Sequence, residues 1–422
     1  MIKRKIYNRA VELLREFRIV YISGPRQAGK STLAKEIAQT IDMKYFTLDN
    51  QSLLEVANSD PHGLLASLGK RIVLDEFQYV PTLIPAIKMV SDNLQPGEKG
   101  VFLLTGSSDI FKSAKTQEAL PGHMARLELF PFSTAEVSCS KVNIVDYLLA
   151  EEIEPLEGIF VDRQQMAEKL IQGGYPEAST KSTRNRSAWF KSYVMGRLYK
   201  DFATLTETRG DYIERINALS RLLAGMSGNV IKYANIANKV GFDDKTVKKY
   251  MQALELMFIT KTIRPYVKNR AKRSVLGLPK IHFIDTGLAC YLLGLKNPKI
   301  LMTSNYYGGL LENFVLMEIL KQSGWAEEEI SIYHFRDKKK NEVDIVMERD
   351  DGKIIGVEVK ASASVKQQDF KGLHELELYG GDKFVRGVLV YTGAQLLPMR
   401  YKNHVYYAVP ISFLLGSDLT KK

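Results

Sequence analysis

An apolar run at 18–23, RIVYIS, leads directly into Gly24-Pro-Arg-Gln-Ala-Gly29-Lys30-Ser31-Thr32, and a helical pattern opens at Lys30. This G-x-x-x-x-G-K-[ST] spacing, set between a strand and a helix, constrains the fold more than any other feature of the chain. A loop that wraps phosphate oxygens with backbone N–H groups needs unusual dihedrals and close approach, which favours glycine. The helix that follows turns its positive end toward the anion. The expected cradle is Gly24, Gln27, Ala28, Gly29, Lys30, Ser31 and Thr32. Lys30 would reach the β- and γ-phosphates and the Ser31 hydroxyl would ligate Mg²⁺. ATP and Mg²⁺ are therefore the expected cofactors.

Further strand candidates follow at 44–48, 71–75 and 100–105, with helical patterns between them. Continuous apolar strands alternating with helices predict a parallel sheet buried on both faces. The strand RIVLDE at 71–76 ends in two acids. In such a sheet Asp75 would hold Mg²⁺ through water and Glu76 would polarise the attacking water. VFLLTGSS at 101–108 ends in hydroxyls, so Thr105 or Ser107 is placed to sense a γ-phosphate, though a strand-end turn accounts for them as well. LFPFS at 129–133 is expected to close the unit.

These stretches carry a family likeness. GPRQAGKST, LDEFQ, LLTGSS and LPGHMARLELFPFS resemble the prokaryotic AAA-type P-loop ATPases that bear a C-terminal domain of unknown function. GGYPEA at 173–178 and HFIDTGL at 282–288 extend the resemblance over nearly the whole chain. It implies ATP hydrolysis. Such proteins often carry Arg after the glycine of the segment before PFS, where this chain has His123. Arg126, three residues on, is the candidate arginine finger or nucleotide sensor, a surface arginine being the other reading. A finger acting in trans would imply a homo-oligomer.

The chain has 422 residues and a formal charge of +11, which favours a polyanion partner such as nucleic acid. Its two cysteines match no ligand pattern, and none of its six histidines pairs at helical zinc spacing, so no structural zinc is expected. The basic start lacks an apolar signal segment, and no run approaches the length of a membrane span. A reducing cytoplasm is the expected setting.

Residues 160 to about 260 read as successive helices. IKYANIANKV, the turn GFDD with Asp243 or Asp244 as N-cap, and KTVKKYMQALELM form a helix-turn-helix pattern. Val247, Tyr250, Met251 and Leu254 share the inner face, leaving Lys245, Lys248 and Lys249 outside. Strands at 258–266 and 279–284 would form a wing, with Arg270, Lys272 and Arg273 near its tip. DNA is the expected partner, a basic face that binds protein being the alternative.

The last part holds two strands, NEVDIVME (341–348) and KIIGVEVKAS (353–362), around RDDG. Alternation puts Glu358 and Lys360 on one face. A two-residue turn would send Asp344 to the other face. A three-residue loop, Asp350-Asp351-Gly352, pairs Asp344 with Glu358, and Gly352 suits its left-handed position. Asp344, Glu358 and Lys360 then resemble the PD-(D/E)xK nuclease core. That resemblance implies that Asp344 and Glu358 hold Mg²⁺, that Lys360 activates water, and that Glu312 is the additional helical acid.

The expected fold is α/β in three parts: a P-loop parallel-sheet domain (1–140), a helical and winged-helix domain (141–300) and an α/β PD-(D/E)xK-like domain (301–422). The expected function is an ATPase that couples nucleotide state to DNA binding, with or without metal-dependent cleavage. The alternative is a nucleotide-dependent switch that binds DNA or protein and cuts nothing.

Overall fold

The structure, a computed structural model, describes residues 2–108, 122–156, 160–206, 212–273 and 277–416. Parts of two stretches read above, Leu120-Pro121 and Ser274-Val275-Leu276, lie outside the described residues. The chain divides into two compact units, Met1–Pro131 with Leu256–Phe258, and Phe132–Glu255 with Ile259–Lys422.

The first unit is built on a sheet of five strands, β1 (Ile19–Ser23), β2 (Lys44–Thr47), β3 (Ile72–Asp75), β4 (Phe102–Gly106) and β5 (Met124–Glu128). Their order is β2-β3-β4-β1-β5, and every neighbouring pair is parallel. Alternate residues feed two cores. Ile19, Tyr21, Ile72, Leu74, Phe102 and Leu104 enter one, while Val20, Ile22, Val73 and Leu103 enter the other. Both faces are thus buried, which is why these strands read as continuous apolar runs. β5 carries Arg126 and Glu128 on a short, mixed sequence at the sheet edge, so its apolar signal was too weak to mark it as a strand.

The second unit joins what the sequence suggested as separate parts. The helices Tyr233–Val240 and Asp244–Leu256 meet at a turn in which Gly241 adopts φ 71°. Asp243 accepts hydrogen bonds from the Thr246 N–H (2.9 Å) and hydroxyl (2.6 Å), capping the second helix. Strands β6 (Thr260–Ile263) and β7 (Lys280–Phe283) pair antiparallel, and Val230 adds a bridge to Lys280. A six-stranded mixed sheet follows. Its strands are β8 (Ile330–Arg336), β9 (Glu342–Arg349), β10 (Ile354–Lys360), β11 (Phe384–Tyr391), β12 (Leu397–Tyr401) and β13 (His404–Pro410), in the order β12-β13-β11-β10-β9-β8.

No linker separates residues on either side of 300. The helix Tyr307–Ser323 is buried on most of its circumference, and Asn313 both accepts from the Phe283 N–H (2.6 Å) and donates to the Phe283 carbonyl (2.8 Å) of β7. The first unit ends at Pro131, and residues on either side of 300 share the second unit. Among the described residues, no helix is long and apolar enough to cross a membrane.

Candidate functional site

The loop after β1 has the geometry its glycines suggested. Gly29 stands at φ 96° as N-cap of the helix Lys30–Ile41, and Gln27 is also left-handed at φ 63°. A Cβ on Gly24 would meet the Leu129 carbonyl oxygen at 2.1 Å, so that glycine serves packing. A Cβ on Gly29 would meet nothing closer than Arg4 at 4.0 Å, leaving its backbone open to an approaching group. Arg4 braces the loop by donating to the Ala28 carbonyl (2.9 Å) and the Phe130 carbonyl (2.8 Å). Nothing in the sequence pattern marked that arginine. Ala28 is buried, Ser31 is half-buried, and Gln27 and Thr32 are exposed.

Lys30 is buried and donates to the Gly24 and Pro25 carbonyls, both at 2.9 Å. Burial pushes its ammonium down to about 8, against the pull of Glu76 and Asp75. Asp75 is buried at the end of β3 and accepts from the Thr105 hydroxyl and, at 2.5 Å, from the Tyr45 hydroxyl. The Tyr45 hydroxyl also neighbours the Ser31 side chain, which joins the loop to Asp75. Glu76 adopts φ 58°, with its N–H donating to Thr105 Oγ1 (3.2 Å). The Gln78 amide donates to Glu76, and Gln78 Oε1 accepts from the Ser107 N–H (3.0 Å).

One role changes in this network. The single hydroxyl proton of Thr105 is committed to Asp75, so Thr105 orders the two acids and has no proton left for a phosphate. The oxygen donors Ser31 and Asp75 beside an open backbone loop fit a magnesium–nucleotide complex. Arg126 lies mid-strand on the edge strand β5, exposed and in register with Tyr21, three residues before Gly24.

In the second unit the predicted register is met. β9 and β10 pair Ile354 with Glu348 through Val357 with Ile345, which sets Glu358 opposite Asp344. The connection is Asp350-Asp351-Gly352, closed by Arg349 N–H to Lys353 O at 2.9 Å, with Gly352 at φ 83°. Glu312 joins the two acids. The cation between them is not the expected one. Lys280 of β7 donates to Glu312 Oε1 (2.8 Å) and Asp344 Oδ1 (2.9 Å). Lys360 is instead paired with Asp369.

Burial and the neighbouring acids hold the Glu312 and Glu358 carboxyls well above their ordinary range, and Glu358 Oε2 has no partner among the described residues. The donor set would suit Mg²⁺, but an ammonium stands between Glu312 and Asp344. The three acids also do not draw their ligating oxygens within 4.8 Å of one another, as only His374, Glu377 and His404 do among the described residues. A metal therefore does not fit this arrangement, and the metal roles expected for Glu312, Asp344 and Glu358 are not met here. The water-activating role expected of Lys360 goes with them.

The expected basic face divides in two. Lys245, Lys248 and Lys272 are exposed. Lys249 is exposed along its length, yet its ammonium donates to the Thr206 carbonyl at 2.7 Å. Arg270 reaches Glu348 Oε1 at 3.3 Å. Arg273 is no wing-tip contact: it is buried, bonds both oxygens of Glu348 and the Tyr333 hydroxyl, and lies between the Tyr266 and Tyr333 rings at 4.8 and 4.7 Å. A buried carboxylate on β9 needs a cation, and Arg273 supplies it together with the more exposed Arg270.

The chain thus runs from a five-stranded parallel sheet carrying the glycine–lysine loop, through a helical region, to a mixed-sheet domain. Residues 16–138 match the family model described as an AAA domain. Residues 163–299 and 307–414 match models described as domains of unknown function, DUF8612 and DUF4143. The uncharacterized protein Rv2008c of Mycobacterium tuberculosis is 26% identical over 406 residues, covering 94% of this chain and 81% of that protein. Among solved structures, the Walker-type ATPase PABY2304 of Pyrococcus abyssi aligns with TM-score 0.44 and 15% identity, over 69% of this chain and 96% of that one. A Thermotoga maritima RuvB mutant aligns with TM-score 0.30 and 16% identity, over 65% and 95%.

Proposed function

We propose that this chain is a cytoplasmic ATP-dependent switch that hydrolyses ATP in its N-terminal unit and uses the nucleotide state to set how its second unit holds DNA. One observation carries the catalytic half: Asp75 and Glu76 are fixed in a single hydrogen-bonded assembly with Thr105 and Gln78, and both act on the charge of Lys30. On binding, Lys30 exchanges its two carbonyl partners for phosphate oxygens, while the loop N–H groups hold the remaining charge. Mg²⁺, held by Ser31 and through Asp75, would neutralise charge developing on the transferred phosphoryl group. Glu76 orients a water and takes its proton as the water oxygen attacks the γ-phosphorus. The bond to the bridging oxygen breaks, and ADP leaves with the electron pair. Arg126 is the residue this reading offers to the site of a neighbouring copy.

For DNA, the support is the exposed Lys245 and Lys248 on the outer face of the helix Asp244–Leu256, followed by the β6–β7 pair in the order a winged helix uses. The nuclease-like centre cuts nothing in this reading, because Lys280 takes the place of a cation.

Phosphate release by the full chain, with and without duplex DNA, and anisotropy of labelled DNA in ATP or ADP test the proposal. Glu76→Gln should bind ATP but turn over about 10²–10⁴-fold more slowly. DNA should change the ATPase rate, and plasmid should stay intact in Mg²⁺ or Mn²⁺. Turnover indifferent to DNA, together with DNA affinity indifferent to nucleotide, would end the coupling. Plasmid cleavage that Asp344→Ala abolishes would establish a nuclease instead.

A further inference from the structure

His374 and Glu377 lie three residues apart on the helix Lys371–Gly380, so their side chains share a face. His404 opens β13 after the turn Lys402-Asn403, whose residues both adopt positive φ (47° and 67°). That tight hairpin, with Tyr401 opposite His404, fixes where the imidazole stands. The three side chains meet at one spot. His404 Nδ1 is 2.8 Å from Glu377 Oε1, His374 Nδ1 is 3.9 Å from Glu377 Oε2, and all three ligating atoms lie within 4.8 Å of one another.

We propose that His374, Glu377 and His404 bind a divalent transition metal, with Zn²⁺ the ion their donor chemistry favours. Two imidazoles and one carboxylate are the donors of borderline ions, whereas Mg²⁺ and Ca²⁺ take oxygen. Tetrahedral zinc with bonds of about 2.0–2.1 Å sets its ligands about 3.3–3.5 Å apart. The observed separations bracket that value, so small side-chain rotations close the site.

The surroundings are arranged as a supporting shell. The Tyr406 hydroxyl donates to Glu377 Oε2 and lies 3.1 Å from His374 Nδ1, a contact that the imidazole would exchange for the metal. Tyr406 is itself fully buried and stacked on Phe370 with centroids 5.7 Å apart. His374 is buried edge-on to Tyr401. The His404 side chain is 43% exposed, so the cluster is reached from solvent. The ion would tie the helix Lys371–Gly380 to the β12–β13 hairpin at the edge of the six-stranded sheet.

The test is calorimetric titration of ZnCl₂ into metal-stripped full-length protein, with excess Mg²⁺ present to occupy oxygen-donor sites and Cys139→Ser to remove the exposed thiol. The expected result is one Zn²⁺ per chain, weakened about tenfold or more by His404→Gln and by Glu377→Gln. Co²⁺ should give visible absorption of four-coordinate intensity that His404→Gln removes. His404 lies on an exposed turn, and circular dichroism confirms that its variant is folded. No uptake, or uptake and a cobalt spectrum unchanged in both variants, overturns the site.

Discussion

The ammonium of Lys280 lies 2.9 Å from the carboxylate of Asp344, although 64 residues separate them in the chain. The same ammonium reaches Glu312 at 2.8 Å, so one lysine answers two buried acids beside a third, Glu358. Removing a partner from a buried ionic group costs more than the group contributes net, because the remaining charge has no solvent.

Lys280→Met should therefore destabilise the second unit by about 3–5 kcal/mol at pH 7. Urea denaturation followed by fluorescence of Trp189 and Trp325 would measure it. Glu312 and Glu358 have raised folded-state values, so their contribution is fully present below the ordinary carboxyl range and is lost as pH rises through the raised values. The deficit of the variant should shrink on acidification. A deficit that grows as pH falls would contradict this account of the centre.

Lys30 predicts a pH dependence in the first unit. Its ammonium titrates at about 8 when bonded only to loop carbonyls, and phosphate oxygens require it charged. Nucleotide affinity should be flat below pH 8 and fall by up to about tenfold per pH unit above it. Calorimetric titration of ATP–Mg²⁺ between pH 7 and 9.5 reads this directly. Lys30→Ala should abolish the dependence along with most of the affinity.

Arg273 and the exposed lysines should separate cleanly. Arg273→Met breaks the buried pair with Glu348 and is expected to cost about 3–5 kcal/mol of stability. Lys245→Ala and Lys248→Ala should leave stability within about 0.5 kcal/mol. Each should lower the salt slope of DNA binding by about 1. Salt titrations of DNA affinity beside denaturation curves distinguish the two outcomes.

His282 sets an acid limit. It is fully buried on β7, neither ring nitrogen has a partner among the described residues, and burial with Lys280 nearby holds it well below its ordinary value. His334 is held down to about 4 for the same reason. A depressed histidine contributes stability above the unfolded value near 6.5 and loses it as pH falls below that. His282→Phe should flatten the stability loss between pH 6.5 and 4 by up to about 1.4 kcal/mol per pH unit.

What the sequence determined is local. Gly24, Gly29 and Lys30 announced the phosphate loop because its demand for backbone freedom and a helix start falls within nine residues. β1, β3 and β4 were legible because strands buried on both faces must be apolar throughout. Gly352 fixed the loop length, and loop length fixed that Asp344 faces Glu358, since strand periodicity leaves two choices. Tertiary structure decided which charges meet. Lys280 reached the acids, and Lys360 was drawn to Asp369, because cations go to whichever carboxylates packing brings near. Arg273 went inward to Glu348 for the same reason. Thr105 became a positioning residue once β3 and β4 lay side by side, and His374 met His404 only through the β12–β13 hairpin. Periodicity assigns a residue to a face, whereas the identity of what that face meets depends on elements distant in sequence, and there the local pattern carries no information.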